Sequence, residues 1–259
     1  MIAMILALAF GTDPTTWLRA AQESFREANW READRYFLMA HQEATLVDDR
    51  STALEAMLGR VDLRLAAREP DSALNCLPAS PGPGTSADDS VLWWSARARV
   101  LQAKGGDPGD PMETALSIAR RASGRPLQDW CLLVRARIRT TRGDLDGAQS
   151  DLSSVHVGDS RILGLRLLQA RCALELARGR PSDALALAKR AGAMAREQGD
   201  VSSAIEILPL RAKAEEAVGD LRAAKASWEA ARATAGATGL DHQAKEARAA
   251  LERLGQASP

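Results

Sequence analysis

Apolar residues recur along this chain at intervals of three and four, the spacing that places them on one face of a helix. Trp17, Ala20, Ala21 and Phe25 form such a face after Pro14, with Thr15 or Thr16 able to cap the helix, which the pattern carries to about Ala28. A second stripe, Ala33, Phe37, Ala40 and Ala44, starts near Arg31. Thr52–Ala67 continues the series, turns at Glu69-Pro70-Asp71, and resumes through Ala73, Leu74 and Leu77. Further on, the pattern predicts a helix from Ser90, with Leu92, Trp93, Ala96, Val100 and Leu101 inward, and another over Met112–Ala122. Three helix pairs follow: Gln128–Arg142 with Asp146–Val155, Arg161–Arg178 with Ser182–Gln198, and Ser202–Val218 with Arg222–Thr234. The last stripe, Ala244, Ala247, Leu251 and Leu254 within Asp241–Leu254, faces charges on its other side and suits a terminal cap. No stretch shows the period-two alternation of a strand, so the fold class is all-α.

The junctions between paired helices repeat. Gly143-Asp144-Leu145-Asp146-Gly147-Ala148 and Gly219-Asp220-Leu221-Arg222-Ala223-Ala224 are near copies, and Gly179-Arg180-Pro181-Ser182-Asp183-Ala184 is a relative. Ala28 to Ala33 and Arg68 to Ala73 are looser versions. A glycine can end a helix in the left-handed conformation, and a small residue one turn into the next helix lets the two approach closely. The landmark alanines Ala33, Ala73, Ala115, Ala148, Ala184 and Ala224 stand 40, 42, 33, 36 and 40 residues apart. That period belongs to stacked helical hairpins, each burying its apolar faces against its neighbours. Pro78–Asp89 is the one long run of helix breakers, a surface loop or hinge.

The register resembles the tetratricopeptide repeat. Trp17, Trp30, Ala33, Phe37 and Ala40 match its pattern of aromatic, junction and small residues, as do Gly143, Leu145, Ala148 and Leu152, and Gly219, Leu221, Ala224, Trp228 and Ala231. The longer spacing is similar to the variant found in bacterial MalT-type regulators. The resemblance covers about residues 15–255 and implies a right-handed α–α superhelix, a solenoid of about six hairpins over 14–259 with a C-terminal capping helix. It also implies a protein-binding scaffold whose first helices line a concave groove. A fold of this kind does not specify the ligand.

Charge and composition narrow the picture further. The formal net charge is +0, so no global field draws the protein to nucleic acid, and aromatic stacking platforms are few at 4%. Locally, Val91–Arg142 holds ten basic and four acidic residues, whereas residues 1–86 hold eight basic and twelve acidic. Cys76, Cys131 and Cys172 lie far apart in sequence among apolar residues and read as buried small hydrophobes. Residues 1–10 are an unbroken apolar run with no preceding basic residue, too short to span a bilayer. Residues 1–13 are therefore an apolar tail on a cytoplasmic protein or part of a signal segment, in which case the chain is periplasmic.

His41, His156 and His242 sit on separate hairpins with no metal-ligand spacing, and neither a nucleophile elbow nor a phosphate-binding loop is present. The expectation is a non-enzymatic protein with no cofactor, no metal and no small-molecule substrate. One constellation stands out. Arg60, Arg135, Arg171 and Arg211 each precede their landmark alanine by thirteen residues, so stacking aligns them as a ladder, with Arg97 or Arg99 as the rung of the third hairpin. Four residues further on come Arg64, Arg139, Glu175 and Glu215. Two roles fit: these side chains cover the seams and pair with neighbouring carboxylates or carbonyls, or Arg60, Arg64, Arg97, Arg135, Arg139, Arg171 and Arg211 offer guanidinium forks to an acidic partner in the groove. The functional expectation is a scaffold for a protein or peptide, acidic in the second case. An exported envelope-assembly component or the regulatory domain of a signalling system would use the same fold.

Overall fold

Thirteen helices and no strand make up the described part of the chain in the computed structural model, which describes residues 13–82 and 84–256. The apolar run at the N-terminus lies outside the described residues. In order the helices are α1 (Pro14–Arg26), α2 (Trp30–Leu46), α3 (Arg50–Ala66), α4 (Pro70–Cys76), α5 (Ala87–Ala103), α6 (Gly109–Ala122) and α7 (Arg125–Arg142). They continue with α8 (Leu145–Ser154), α9 (Arg161–Ala177), α10 (Pro181–Glu197), α11 (Val201–Ala217), α12 (Leu221–Thr238) and α13 (Asp241–Gln256). The chain forms two units that divide between Ile118 and Ala119, within α6.

One turn geometry joins most of these helices. Nine times, a residue with positive φ is followed by a residue whose N–H donates to the carbonyl five positions back: Asn29, Asp49, Glu69, Gly106, Asp144, Arg180, Asp200, Asp220 and Leu240. This is the Schellman closure, which satisfies carbonyls that the helix end leaves open. Six of the nine left-handed residues are glycine, but Ala28 (φ 61°), Asp48 (φ 56°) and Arg68 (φ 61°) are not. The residue after the turn commonly caps the next helix. Asp49, Asp144, Asp200 and Asp220 accept from the backbone N–H three residues on, and Asp13 accepts from that of Thr15. The Thr15 hydroxyl and N–H hold the Asp13 carboxyl below the usual range, and Thr52 does the same for Asp49. The same turn occurs within hairpins and between them, as at Asp48-Asp49 and Gly199-Asp200.

Helix ends differ from the sequence expectation where a cap overrides periodicity. α5 opens at Ala87 rather than Ser90 because the Ser86 side chain accepts from the Asp89 N–H. α7 opens at Arg125, with Pro126 in its first turn, where the missing N–H costs nothing. α12 runs on to Thr238, until Gly239 adopts φ 75°. The breaker-rich loop joins α4 to α5 after Leu77, whose extended ψ of 130° suits a residue preceding proline.

Packing follows the hairpin period within each unit. All six landmark alanines are 0% exposed. In unit 1, Ala33 of α2 shares a cluster with Leu18 and Ala21 of α1 and Ala56 and Leu63 of α3, while Ala73 of α4 lies with Val61 of α3 and Trp93, Ala96 and Val100 of α5. In unit 2, Ala148 of α8 sits between Leu133 and Ala136 of α7 and Leu167, Ala170 and Leu174 of α9. Ala184 of α10 is flanked by Leu165 and Cys172 of α9 and Ile207 and Ala214 of α11, and Ala224 of α12 by Ala212 of α11 and Ala247, Ala250 and Leu254 of α13. Helices α2, α4, α8, α10 and α12 are thus each held between the helices on either side. The first helix of a hairpin is consequently buried on several faces, as α9 is through Leu165, Leu167, Leu168, Ala170, Cys172 and Leu174. A second helix buries a narrow stripe, in α10 only Ala184, Ala188, Ala191 and Ala195. In α1 the stripe centres on Leu18 and Ala21, with Trp17 and Phe25 at its margin. In α13 Ala250 rather than Ala244 completes it. Close approach is required once more at Gly59, where an added methyl would stand 2.3 Å from the Phe37 ring.

Gly219 has open space around its α-carbon, so a methyl there meets no neighbour and only backbone strain. Gly219→Ala is expected to lower stability by about 1 kcal/mol, and Arg68→Gly, at an exposed left-handed position, to raise it by up to about 1 kcal/mol, both read from urea unfolding midpoints.

Candidate interaction surface

The ladder arginines are all placed on first helices, and the guanidinium groups of Arg60, Arg64, Arg135, Arg139 and Arg171 reach second helices. Arg60 donates through Nε to Asp34 Oδ1 at 2.9 Å, and Arg64 through Nη2 to Asp34 Oδ2 at 2.6 Å, tying α3 to α2 of the preceding hairpin. Arg135 grips Asp151 of α8 with two bonds, 3.0 and 2.7 Å, and Arg139 adds a third to the same carboxylate at 2.8 Å. Arg171 donates to the Leu152 carbonyl at 3.3 Å. Arg211 donates to Glu215 at 2.7 Å, and Glu215 accepts in turn from the Ser227 hydroxyl of α12 at 2.6 Å. Arg97 lies over the Trp93 ring, 5.3 Å from its centroid, and Arg99 pairs with Asp62 of α3 at 2.7 Å.

The structure therefore gives every one of these arginines a partner within its own unit. The carboxylates that receive them range widely in burial. The Asp151 and Glu215 side chains are 4% and 2% exposed, whereas that of Asp34 is 29% exposed. A buried carboxylate is tolerated only when its lone pairs are occupied, and Asp151 meets this with three guanidinium bonds. Asp129 is a second example in unit 2: it is 1% exposed, accepts from Arg125 Nε, and receives the His156 backbone N–H at 3.2 Å. Arg125 also donates to the Ser154 carbonyl at 2.9 Å, so the start of α7 is fastened to the end of α8.

A second line of polar contacts joins first helix directly to first helix. In unit 1, Gln22 of α1 donates to Glu55 of α3 at 2.7 Å, and Arg99 of α5 to Asp62 of α3. In unit 2, Arg166 of α9 donates to Glu206 of α11 at 2.6 Å, and Lys213 of α11 to Glu246 of α13 at 2.8 Å. These groups keep a share of solvent contact, such as 41% for Asp62 and 50% for Lys213. Sequence inspection singled out the arginines but not Asp34, Asp62, Asp129 or Asp151. The available signal was an aspartate inside a helix, where its side chain competes with the helix and needs a reason to stay.

The histidines do not converge: His41 Nδ1 contacts the Ala53 carbonyl at 3.0 Å, His156 borders Arg125, and His242 is exposed. No group of three metal-ligating side chains is found among the described residues. Cys131 and Cys172 are buried, and burial pushes the Cys172 thiol up to about 11. No helix among the described residues is long and apolar enough to cross a membrane. No protein-family model matches the chain, and no curated protein matches it.

Removing the Asp151 carboxylate leaves Arg135 and Arg139 facing a buried gap. Asp151→Ala is expected to cost about 3 kcal/mol in urea unfolding, and Asp34→Ala, at a more hydrated site, about 1 kcal/mol.

Proposed function

We propose that this protein is a non-enzymatic scaffold that holds a segment of another protein against the exposed strip of its first helices. The reading takes the hairpins as a right-handed α–α superhelix of about six repeats with α13 as its cap, in the manner of tetratricopeptide arrays. It places the protein in the cytoplasm, with the periplasm as the location if residues 1–11 belong to a signal peptide. The partner is a protein or peptide rather than a nucleic acid or a small molecule. The guanidinium excess between Val91 and Arg142 favours an acidic segment.

The observation that carries the reading is the line of partly exposed polar pairs that, within each unit, joins alternate helices: α1 to α3 to α5, and α9 to α11 to α13. First helices are otherwise covered by second helices, so their open strip is a surface shared by consecutive hairpins. Polar side chains there are already held by cross-helix bonds and lose little freedom when a partner docks, which lowers the ordering cost of binding. Repetition of the turn and of the zero-exposure alanine supports it too, because both preserve the same strip from hairpin to hairpin. Arg60, Arg64, Arg135 and Arg139 contribute by locking first helices onto second ones, with partly exposed edges (14% for Arg135, 30% for Arg64) at the margin.

Photo-crosslinking in living cells tests this. A photoreactive side chain at Asp62 or Ile162, on first helices, is expected to capture one discrete protein partner, and one at Arg190 or Arg232, on the exposed faces of α10 and α12, to capture none. Equal capture from both sets, or none from the first, contradicts the proposal.

A further inference from the structure

Arg68 and Gly179 occupy the same turn in different units. Each stands two residues before the proline that opens a second helix, Pro70 or Pro181, with φ of 61° and 69°. Each is followed by an N–H that closes onto the carbonyl five positions back, Glu69 to Arg64 at 2.8 Å and Arg180 to Glu175 at 2.9 Å. A β-carbon at Gly179 would meet nothing within 4 Å, so glycine there answers the backbone angle and not a lack of room. Arg68 adopts the same angle with a β-carbon in place, which disfavours it.

The helix after Arg68 does little to offset this. α4 has 7 residues where α10, after Gly179, has 17. A helix of two turns has no stability of its own. Within α4 only Ala73 is buried, with Leu77 just beyond its end, against four residues in α10. Its N-cap residue, Glu69, makes no side-chain bond to the helix backbone. Two ion pairs tie it from outside, Asp71 to Lys104 at 2.6 Å and Glu69 to Arg64 at 3.4 Å. The Asp71 and Glu69 side chains are 83% and 48% exposed, and pairs so open to water add little.

Ala73 packs in one cluster with Val61 of α3 and Trp93, Ala96 and Val100 of α5. Trp93 is fully buried, yet its indole N–H has no acceptor among the described residues. A buried donor without a partner raises the free energy of the closed arrangement, and water reaching it removes that cost. Helices α3 and α5 are joined without α4, through Asp62 and Arg99 at 2.7 Å. We propose that α4 is a strap: it lifts from α3 and α5 while both stay folded, and uncovers an apolar groove lined by Val61, Trp93, Ala96 and Val100. Lifting relaxes the turn at Arg68 and gives the Trp93 N–H an acceptor in water. Both changes favour the open form, and burial of Ala73 and Leu77 favours the closed one. Such an opening involves one short element and is distinct from unfolding of the unit. It is independent of what docks on the first helices.

Native-state hydrogen exchange on the full chain, followed in nitrogen-15 spectra, tests this, with the Trp93 indole signal assigned by Trp93→Phe among the 6 tryptophans. The Ala73 and Leu77 amides, which donate to Glu69 and Leu74, and the Trp93 indole N–H are expected to share one opening constant. That constant is expected to exceed those of the Val61 and Val100 amides at least about tenfold. Arg68→Gly, at an exposed position, is expected to lower it by up to about fivefold and to leave exchange in α10 unchanged. Three results would overturn the proposal: an Ala73 amide as well protected as that of Val61, a Trp93 indole N–H that exchanges only with global unfolding, or an opening constant unmoved by Arg68→Gly.

Discussion

Everything in this protein depends on how near one helix may come to the next. At the six landmark positions the permitted side chain is a methyl group that no water reaches. At five of them, in α2, α4, α8, α10 and α12, the helix rests at that point against both helices flanking it, so the approach is set from two sides at once. A larger group would have to displace two neighbours, and interiors packed at crystalline density do not give way by a methylene without cost. Burial of alanine yields little per residue, and stability is therefore spread over many such contacts rather than concentrated in one large core. The largest fully buried side chains, Trp93 and Trp228, lie in separate clusters in separate units.

The charged groups complete what small side chains cannot. Alanine seams leave grooves at their margins, and arginine stems are long enough to cover them while the guanidinium reaches a fixed acceptor. Helices α3, α7, α9 and α11 each use an arginine in this way, but the acceptors differ: a carboxylate of the preceding hairpin for Arg60, one of its own hairpin for Arg135, a backbone carbonyl for Arg171 and a same-helix glutamate for Arg211. Such pairs orient helices at little net gain in stability, since desolvation offsets much of the attraction. Their effect is positional: Arg60, Arg64, Arg135 and Arg139 fix a first helix against a second one.

Helix content, hairpin period and the landmark alanines were legible in the sequence because each is a local signal, written in glycine, alanine and the three- and four-residue spacing of apolar positions. Three turns were harder to read, since Ala28, Asp48 and Arg68 adopt the left-handed conformation without the residue that normally marks it. The arginine ladder was visible as a register, and so was Glu215, four residues beyond Arg211, as its same-helix partner, but the acceptors of Arg60, Arg135 and Arg171 were not. Those three acceptors, Asp34, Asp151 and the Leu152 carbonyl, lie on a different helix from the arginine that reaches them, and spacing within one helix does not record that. The open space beside Trp228 was also hidden, because Trp228 read simply as a repeat position and only the packing of α13 brings Ala250 and Arg253 near it.

The central claim is that hairpins are held by their immediate neighbours within a unit. Native-state hydrogen exchange on Ala184→Leu examines it most directly, because the added branch must push α10 away from α9 and α11. The account predicts that amide protection falls in α9, α10 and α11 and stays unchanged in α1, α2 and α3, as expected when stability is a sum of nearest-neighbour terms. A uniform loss of protection along the whole chain would contradict it.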